Sequence, residues 1–179
     1  MWHWGKRRGK ILMRILIYGA GVIGSLYAAL FAEAGYDTNI YARGKRLEAL
    51  RNNGLKYKKN QEVIKAEIRI LGELPNDDIY DFVLLTVREN QLYEALIELK
   101  NNKSNTIVTM INSLDSYNKW EDIVGKGRIL PAFPGAGGSI NDDGILDAAL
   151  TPRLIQPTTF AEISGNKSEI GRASCRERV

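Results

Sequence analysis

Between its two ends, the sequence lacks the side chains that most often build metal and nucleophilic sites. Its one histidine and one cysteine are His3 and Cys175, and each lies close to an end of the chain. Residues 13–169 therefore hold no Cys/His zinc site, no Ser-His-Asp triad and no cysteine nucleophile. A single cysteine also excludes an internal disulfide. We expect no bound metal, because no clustered acidic motif replaces the missing ligands.

The sequence also lacks a basic body and a long apolar run. The formal net charge is +4, but residues 1–12 carry four bases and no acid, and residues 170–179 add a further excess of base, so that residues 13–169 are mildly acidic. This distribution argues against a nucleic-acid partner. No apolar run approaches the roughly 18 residues of a membrane span, so we expect no membrane partner and a cytoplasmic location.

The two ends differ from the region between them. Residues 1–12 show no apolar periodicity, and Met13 directly precedes the first predicted strand, so we interpret 1–12 as a spurious extension. A signal peptide is the alternative, although Arg14 interrupts its apolar region. Residues 170–179, IGRASCRERV, match the in-frame translation of a common sequencing adapter. We therefore expect one natural domain over residues 13–169.

Strands and helices alternate along the chain. Apolar runs and helical spacing predict strands at 15–18, 38–41, 82–87, 107–111 and 129–133, and helices at 22–34, 47–51, 91–100 and 117–124. We also expect a hairpin or edge strands within 55–72, a glycine-rich loop at 134–138, and strands at 150–155 and 158–163. This alternation is typical of a doubly wound, Rossmann-like α/β fold with a mostly parallel sheet.

A glycine motif between the first strand and the first helix predicts a dinucleotide site. The motif consists of Gly19, Ala20, Gly21, Val22, Ile23 and Gly24. In such a loop Gly19 makes the tight turn, Gly21 admits the pyrophosphate and Gly24 lets the helix pack on the strand. The helix N-terminus favours phosphate. A methyltransferase with a similar loop is the competing interpretation, but it requires an acidic ribose ligand after the second strand.

The segment after the second strand indicates NADP(H) as the cofactor. NAD-preferring sites carry an acid there, on the ribose 2′-hydroxyl. Residues 38–47 contain no acid and offer Arg43, Lys45 and Arg46 instead. A guanidinium with neighbouring cations suits a 2′-phosphate, and a solvated basic turn is the alternative.

With these motifs, residues 13–169 resemble the N-terminal domain of the ketopantoate reductase (2-dehydropantoate 2-reductase) family. The resemblance rests on the segments ILIYGAGVIGSLYAALFAEAG, YARGKR, FVLLTVRENQ and TMINSLDS. It implies NADPH-dependent reduction of a small 2-keto acid, as in pantothenate biosynthesis. It also implies a C-terminal helical domain, which is absent from this chain.

The resemblance further implies roles for individual residues. Arg43 corresponds to the family's arginine for the 2′-phosphate. Arg88 stands where the family has a cofactor-binding lysine, and Gln91 keeps the family's glutamine. Asn112 corresponds to the asparagine that orients nicotinamide and substrate, and Ala136 corresponds loosely to a backbone contact with the cofactor.

Departures from the family pattern leave alternatives open. Arg88 differs from lysine in shape and hydration, and Ser113 replaces the usual glycine, so a different keto acid is one alternative. The family's proton-donating lysine belongs to the missing domain, so we expect this chain alone to be inactive. A non-catalytic NADP-binding module is a second alternative.

Structural roles for single residues are a third alternative. Asn112 would then cap a helix, and Arg88 would pair with Glu89 or Glu94. The sequence leaves the keto acid and the oligomeric state open.

Overall fold

A computed structural model of the protein describes residues 13–113, 115–152, 154–161 and 163. The interpretations of residues 1–12 as a spurious extension and of 170–179 as adapter sequence lie outside the described residues.

Strands and helices alternate along the described residues up to residue 133, except that four successive strands between residues 56 and 85 have no helix between them. The strands are β1 (Arg14–Tyr18), β2 (Asp37–Tyr41), β3 (Lys56–Lys59), β4 (Glu62–Lys65), β5 (Arg69–Leu71), β6 (Phe82–Leu85), β7 (Ile107–Thr109), β8 (Ile129–Phe133), β9 (Ala136–Ile140), β10 (Ile145–Leu150) and β11 (Thr159–Phe160). The helices are α1 (Val22–Glu33), α2 (Gly44–Asn53), α3 (Leu92–Lys100) and α4 (Tyr117–Val124), and a 3-10 turn (Glu89–Gln91) leads into α3.

The larger sheet has the strand order β11-β8-β7-β6-β1-β2-β5. Every neighbouring pair is parallel except β11 with β8. This confirms the expected doubly wound, mostly parallel α/β fold. Because β2 and β6 lie on opposite sides of β1, the order of connection reverses at β1, and ligands of such sheets bind at the carboxyl ends of the strands at this reversal.

The central position of β1 follows from its residues, which are apolar towards both faces of the sheet. Ile15 and Ile17 belong to the core cluster that α1 covers, and Leu16 and Tyr18 belong to the cluster that α3 and α4 cover. All four are at most 2% exposed. A strand buried on both faces reads as a continuous apolar run, which is the pattern of this segment.

A second sheet, ordered β4-β3-β10-β9, corrects two expectations near the C-terminal end of the described chain. The glycine-rich segment 134–138 is not only a loop, because β9 begins at Ala136 and pairs antiparallel with β10. The strand expected at 150–155 lies earlier, at Ile145–Leu150. Glycine at 138 permits this pairing, since a Cβ there would lie 2.4 Å from Cα of Ala148.

The basic segment after β2 is also more regular than expected. The sequence predicts a loop at 43–46 and a helix from 47, but α2 begins at Gly44. Arg43 is its N-cap residue, and the Arg43 carbonyl accepts a hydrogen bond from the Leu47 N–H. Lys45 and Arg46 therefore belong to the first turn of a helix, and their side chains leave it in different directions.

Arg128 joins the loop before β8 to the ends of two helices. Its guanidinium donates hydrogen bonds to the carbonyl oxygens of Asn102 (2.7 Å) and Ser104 (2.7 Å) and to that of Val124 at the end of α4. Burial lowers the pKa of Arg128. The bond to Val124 satisfies a carbonyl that α4 itself leaves without a partner, and the other two satisfy carbonyls of the segment between α3 and β7.

We predict that Arg128→Met lowers the free energy of unfolding by about 2–4 kcal/mol, because hydrogen bonds to a charged donor each contribute about 1.5–3 kcal/mol and several carbonyls lose their donor together. Urea unfolding measures the change. Lys126→Met is the control, since this exposed residue lies in the same loop. A loss of similar size in the control would show that the charge of the loop, and not its hydrogen bonds, is responsible.

Candidate functional site

The glycine loop leaves the carboxyl end of β1 and begins α1 within three residues. Gly19 has φ +113°, a conformation that only glycine adopts readily, and its N–H donates to the Tyr41 carbonyl at 3.1 Å. Gly21 is the N-cap of α1 and makes no side-chain cap. A Cβ at Gly21 would meet no atom within 4 Å. The first N–H groups of α1 therefore adjoin open space, as an incoming anion requires.

Gly24 lies on the packed side of the same loop. A Cβ there would be 2.0 Å from the Gly19 carbonyl oxygen and 2.5 Å from Thr86 Oγ1. Thr86 follows β6, and its hydroxyl donates to the Gly19 carbonyl at 2.8 Å. The sequence reasoning missed Thr86, although a hydroxyl at the end of an apolar strand beside a glycine motif was an available signal.

Arg46 holds the loop from the opposite side. Its Nε donates to the Ala20 carbonyl at 2.9 Å, and Nη2 donates to Ser25 Oγ at 3.2 Å. Burial lowers the pKa of Arg46. Arg46, expected to bind the cofactor, is thus engaged with the protein backbone, whereas the side chain of Lys45 is exposed.

Arg43 reaches across to α3. Its Nη1 forms an ion pair with Glu94 Oε1 at 2.8 Å, and the two side chains are 41% and 67% exposed. The alternative pairing of Arg88 with Glu94 therefore does not occur, and the described part of the chain contains no ion pair from Arg88. Sequence reasoning had no signal that linked Arg43 to an acid on a distant helix.

A second acid of α3 is held by two tyrosines. Glu98 accepts a hydrogen bond from Tyr41 at 2.7 Å and another from Tyr18. The two rings stack at a tilt, with their centroids 4.7 Å apart. Burial, together with the hydrogen bond to Glu98, raises the pKa of Tyr41 to about 12. This network fixes α3 against β1 and β2, and the sequence analysis did not anticipate it.

The remaining predicted site residues follow neighbouring strands. Arg88 and Gln91 are exposed at the two ends of the 3-10 turn after β6. Asn112 is exposed after β7 and does not cap α4, whose N-cap is Ser116. Ala136 lies apart from them, in β9 of the second sheet, where it packs against the core cluster on the α1 side.

An open cleft of about 540 Å³ lies beyond the ends of β7 and β8. Asn112 and Ser113 contribute its polar wall, and Phe133 and Phe160 contribute much of its apolar wall. The cleft can take a small molecule that has one polar end and one apolar end. Among residues 13–113, 115–152, 154–161 and 163, no group of three acids, histidines or cysteines is arranged to hold a metal ion. None of the helices described is both long and apolar enough to cross a membrane.

Comparison with known proteins identifies relatives of this chain. Residues 15–153 match the family model described as ketopantoate reductase PanE/ApbA. A 2-dehydropantoate 2-reductase of Mesorhizobium japonicum is 35% identical over 105 residues, which cover 57% of this chain and 32% of that protein. These findings confirm the resemblance inferred from the sequence motifs.

Two solved structures share the fold. The 2-dehydropantoate 2-reductase of Geobacter metallireducens has a TM-score of 0.70 and 20% identity, over 92% of this chain and 53% of that one. A ternary structure of D-mandelate dehydrogenase with NADH and anilino(oxo)acetate has a TM-score of 0.67 and 19% identity, over 75% of this chain and 45% of that one. The chain spans less than two thirds of the length of each of these relatives.

We predict that alanine is far more destabilising at Gly24 than at Gly21. Gly24→Ala should lower the free energy of unfolding by about 3 kcal/mol or more, because the new methyl group overlaps a backbone oxygen that cannot move aside. Gly21→Ala is the matched control and should stay within about 1 kcal/mol of the wild type, since its methyl group enters open space. Urea unfolding compares the two. Equal losses would contradict the packed role assigned to Gly24.

Proposed function

Because the chain belongs to the ketopantoate reductase family, we propose that residues 13–169 are the NADP(H)-binding half of a 2-keto acid reductase. The observation that carries the proposal is the contrast within one loop: Gly24 has no room for a Cβ, whereas Gly21 has open space beside it. This contrast is the one that a pyrophosphate on the N-terminus of α1 requires.

Two features of the loop support a bound dinucleotide. Gly21 lets the phosphates approach the backbone, and the uncapped N–H groups at the start of α1 bind them. Residues after β2 would hold the adenosine half of the cofactor, and residues after β6 and β7 would hold its nicotinamide half. The D-mandelate dehydrogenase of similar fold carries NADH, which supports a nicotinamide cofactor for this chain.

Arg43 and Lys45 recognise the 2′-phosphate in this proposal. Both side chains are exposed beside the end of β2, and residues 38–47 contain no acid that would bind a free 2′-hydroxyl. Arg46 has a different task from the one expected. Its bonds to Ala20 and Ser25 hold the phosphate loop, so it serves NADPH and NADH alike.

The cleft beyond β7 receives the keto acid. When bound, the nicotinamide supplies the hydride that reduces the keto carbon. The exposed amide of Asn112 orients the carbonyl and the nicotinamide, and Phe133 and Phe160 offer an apolar wall to the rest of the keto acid. A small polar acid with an apolar substituent matches this lining. The resemblance implies that a lysine of a second, helical domain donates the proton in this reaction, and residues 13–169 hold no counterpart of that lysine. We therefore propose the reductase activity for a protein that contains both domains, and not for residues 13–169 alone.

We predict that Arg43→Ala weakens NADPH binding by about ten-fold or more and leaves NADH binding nearly unchanged. The two cofactors differ only at the 2′-phosphate, and a charge-assisted hydrogen bond contributes about 1.5–3 kcal/mol, which is roughly 10- to 150-fold in affinity. Calorimetric titration of wild type and variant with both cofactors measures the change. Lys45→Ala is the control for a more exposed cation and should have a smaller effect.

The same titration tests the proposed function. The wild-type chain should bind NADPH more tightly than NADH. Equal affinities for the two would contradict a 2′-phosphate site, and a failure to bind either would contradict a dinucleotide site.

We predict that Arg46→Ala weakens NADPH and NADH by the same factor, about five-fold or more. The substitution releases the Ala20 carbonyl and Ser25, so the phosphate loop loses a support that both cofactors need. Adenosine diphosphate ribose, which lacks the 2′-phosphate, should lose affinity equally. A loss of affinity confined to NADPH would contradict this prediction and would indicate that Arg46 contacts the 2′-phosphate, as the sequence predicts.

A further inference from the structure

The ion pair between Arg43 and Glu94 joins the two sides of the proposed adenosine site. Arg43 follows β2 directly, and Glu94 lies in the first turn of α3, which follows β6. Because β2 and β6 flank β1 on opposite sides, the pair connects the two segments between which a dinucleotide enters. The guanidinium proposed to bind the 2′-phosphate is thus already engaged by an acid of the same chain.

The position of Glu94 is fixed by the helix that carries it. Glu98 lies one turn further along α3 on the same face, where Tyr18 and Tyr41 donate to it. Leu92 and Leu96, each at most 1% exposed, bury the adjoining face of α3 in the core. With α3 held in this way, the carboxylate of Glu94 is directed towards the end of β2.

The ion pair between Arg43 and Glu94 also costs little to break. Glu94 is 67% exposed, so its carboxylate is fully hydrated once it leaves Arg43. A 2′-phosphate carries more charge than a carboxylate and offers three acceptor oxygens to the same guanidinium. The 2′-phosphate is therefore a stronger partner for Arg43 than Glu94 is, whereas NADH has no group that competes with Glu94.

We propose that Glu94 sets the degree of preference for NADPH over NADH by competing with the 2′-phosphate for Arg43. The proposal rests on the proposed function, since it assumes that Arg43 binds this phosphate. Glu94 is a positioning residue in this scheme, because it acts through Arg43.

The test is Glu94→Gln, which keeps the length of the side chain and removes its charge. We expect NADPH affinity to rise about two- to five-fold, the range that corresponds to loss of an exposed ion pair, while NADH affinity stays within measurement error. The gain should shrink at high salt, where the exposed pair is screened. In the Arg43→Ala background, Glu94→Gln should give no gain, because the competition has then already been removed.

Glu48→Gln is the matched control. Glu48 is an exposed acid of α2, close in sequence to Arg43, and its substitution changes the net charge by the same amount. A gain as large as that of Glu94→Gln would mean that overall charge, and not the ion pair, governs NADPH binding, and this would overturn the inference.

Two further outcomes separate the inference from the proposed function. If the wild type binds NADPH but Glu94→Gln leaves the ratio of NADPH to NADH affinity unchanged, the inference alone is wrong. If neither wild type nor Glu94→Gln binds NADPH, the proposed function fails and the inference fails with it.

Discussion

The close approach of α1 to β1 at Gly24 is the constraint on which the rest of the site depends. The Gly19 carbonyl lies where a side chain at position 24 would begin, so the helix N-terminus sits directly over the end of the central strand. Thr86 then holds the Gly19 carbonyl from β6, and Arg46 holds the Ala20 carbonyl from α2. The loop is therefore supported from both neighbouring segments, which reduces the ordering that a bound dinucleotide must impose.

The three basic residues after β2 make different contacts, because each side chain faces a different part of the structure. Arg46 faces the glycine loop and is partly buried there, whereas Arg43 faces α3 and Lys45 faces solvent. The sequence places the three cations within one short segment and gives no sign that Arg46 bonds to the protein backbone. Their roles separate only once α2 begins at Gly44, because a helix sends successive side chains in directions about 100° apart.

The sequence predicted those parts of the fold that depend on local pattern. The bounds of α4 and β8 agree with prediction, since their apolar spacing is unambiguous. The second sheet was misjudged because the segment of β9 is short and rich in glycine, which hides its strand pattern, and because β10 also pairs with β3, a strand far earlier in the chain. In the site, the glycine loop was predictable from its motif. Glu94 and Glu98 were not, because nothing near them in the sequence indicates that they face residues after or within β1 and β2.

Two acids of α3 lie beside the site proposed for the negatively charged cofactor, which they would be expected to repel. Their contacts explain how both can be present. Glu98 is held by Tyr18 and Tyr41, so its charge is matched by two hydroxyl donors within the sheet–helix interface. Within the part of the chain that the structure describes, Glu94 is held only by Arg43, and it is largely exposed. A phosphate that takes Arg43 therefore releases one carboxylate into water at little cost and leaves the other undisturbed. Glu94 and Glu98 are four residues apart on one helix and therefore lie on the same face. Because Glu98 is bonded to the two tyrosines, it fixes the orientation of α3 and hence the direction in which Glu94 extends.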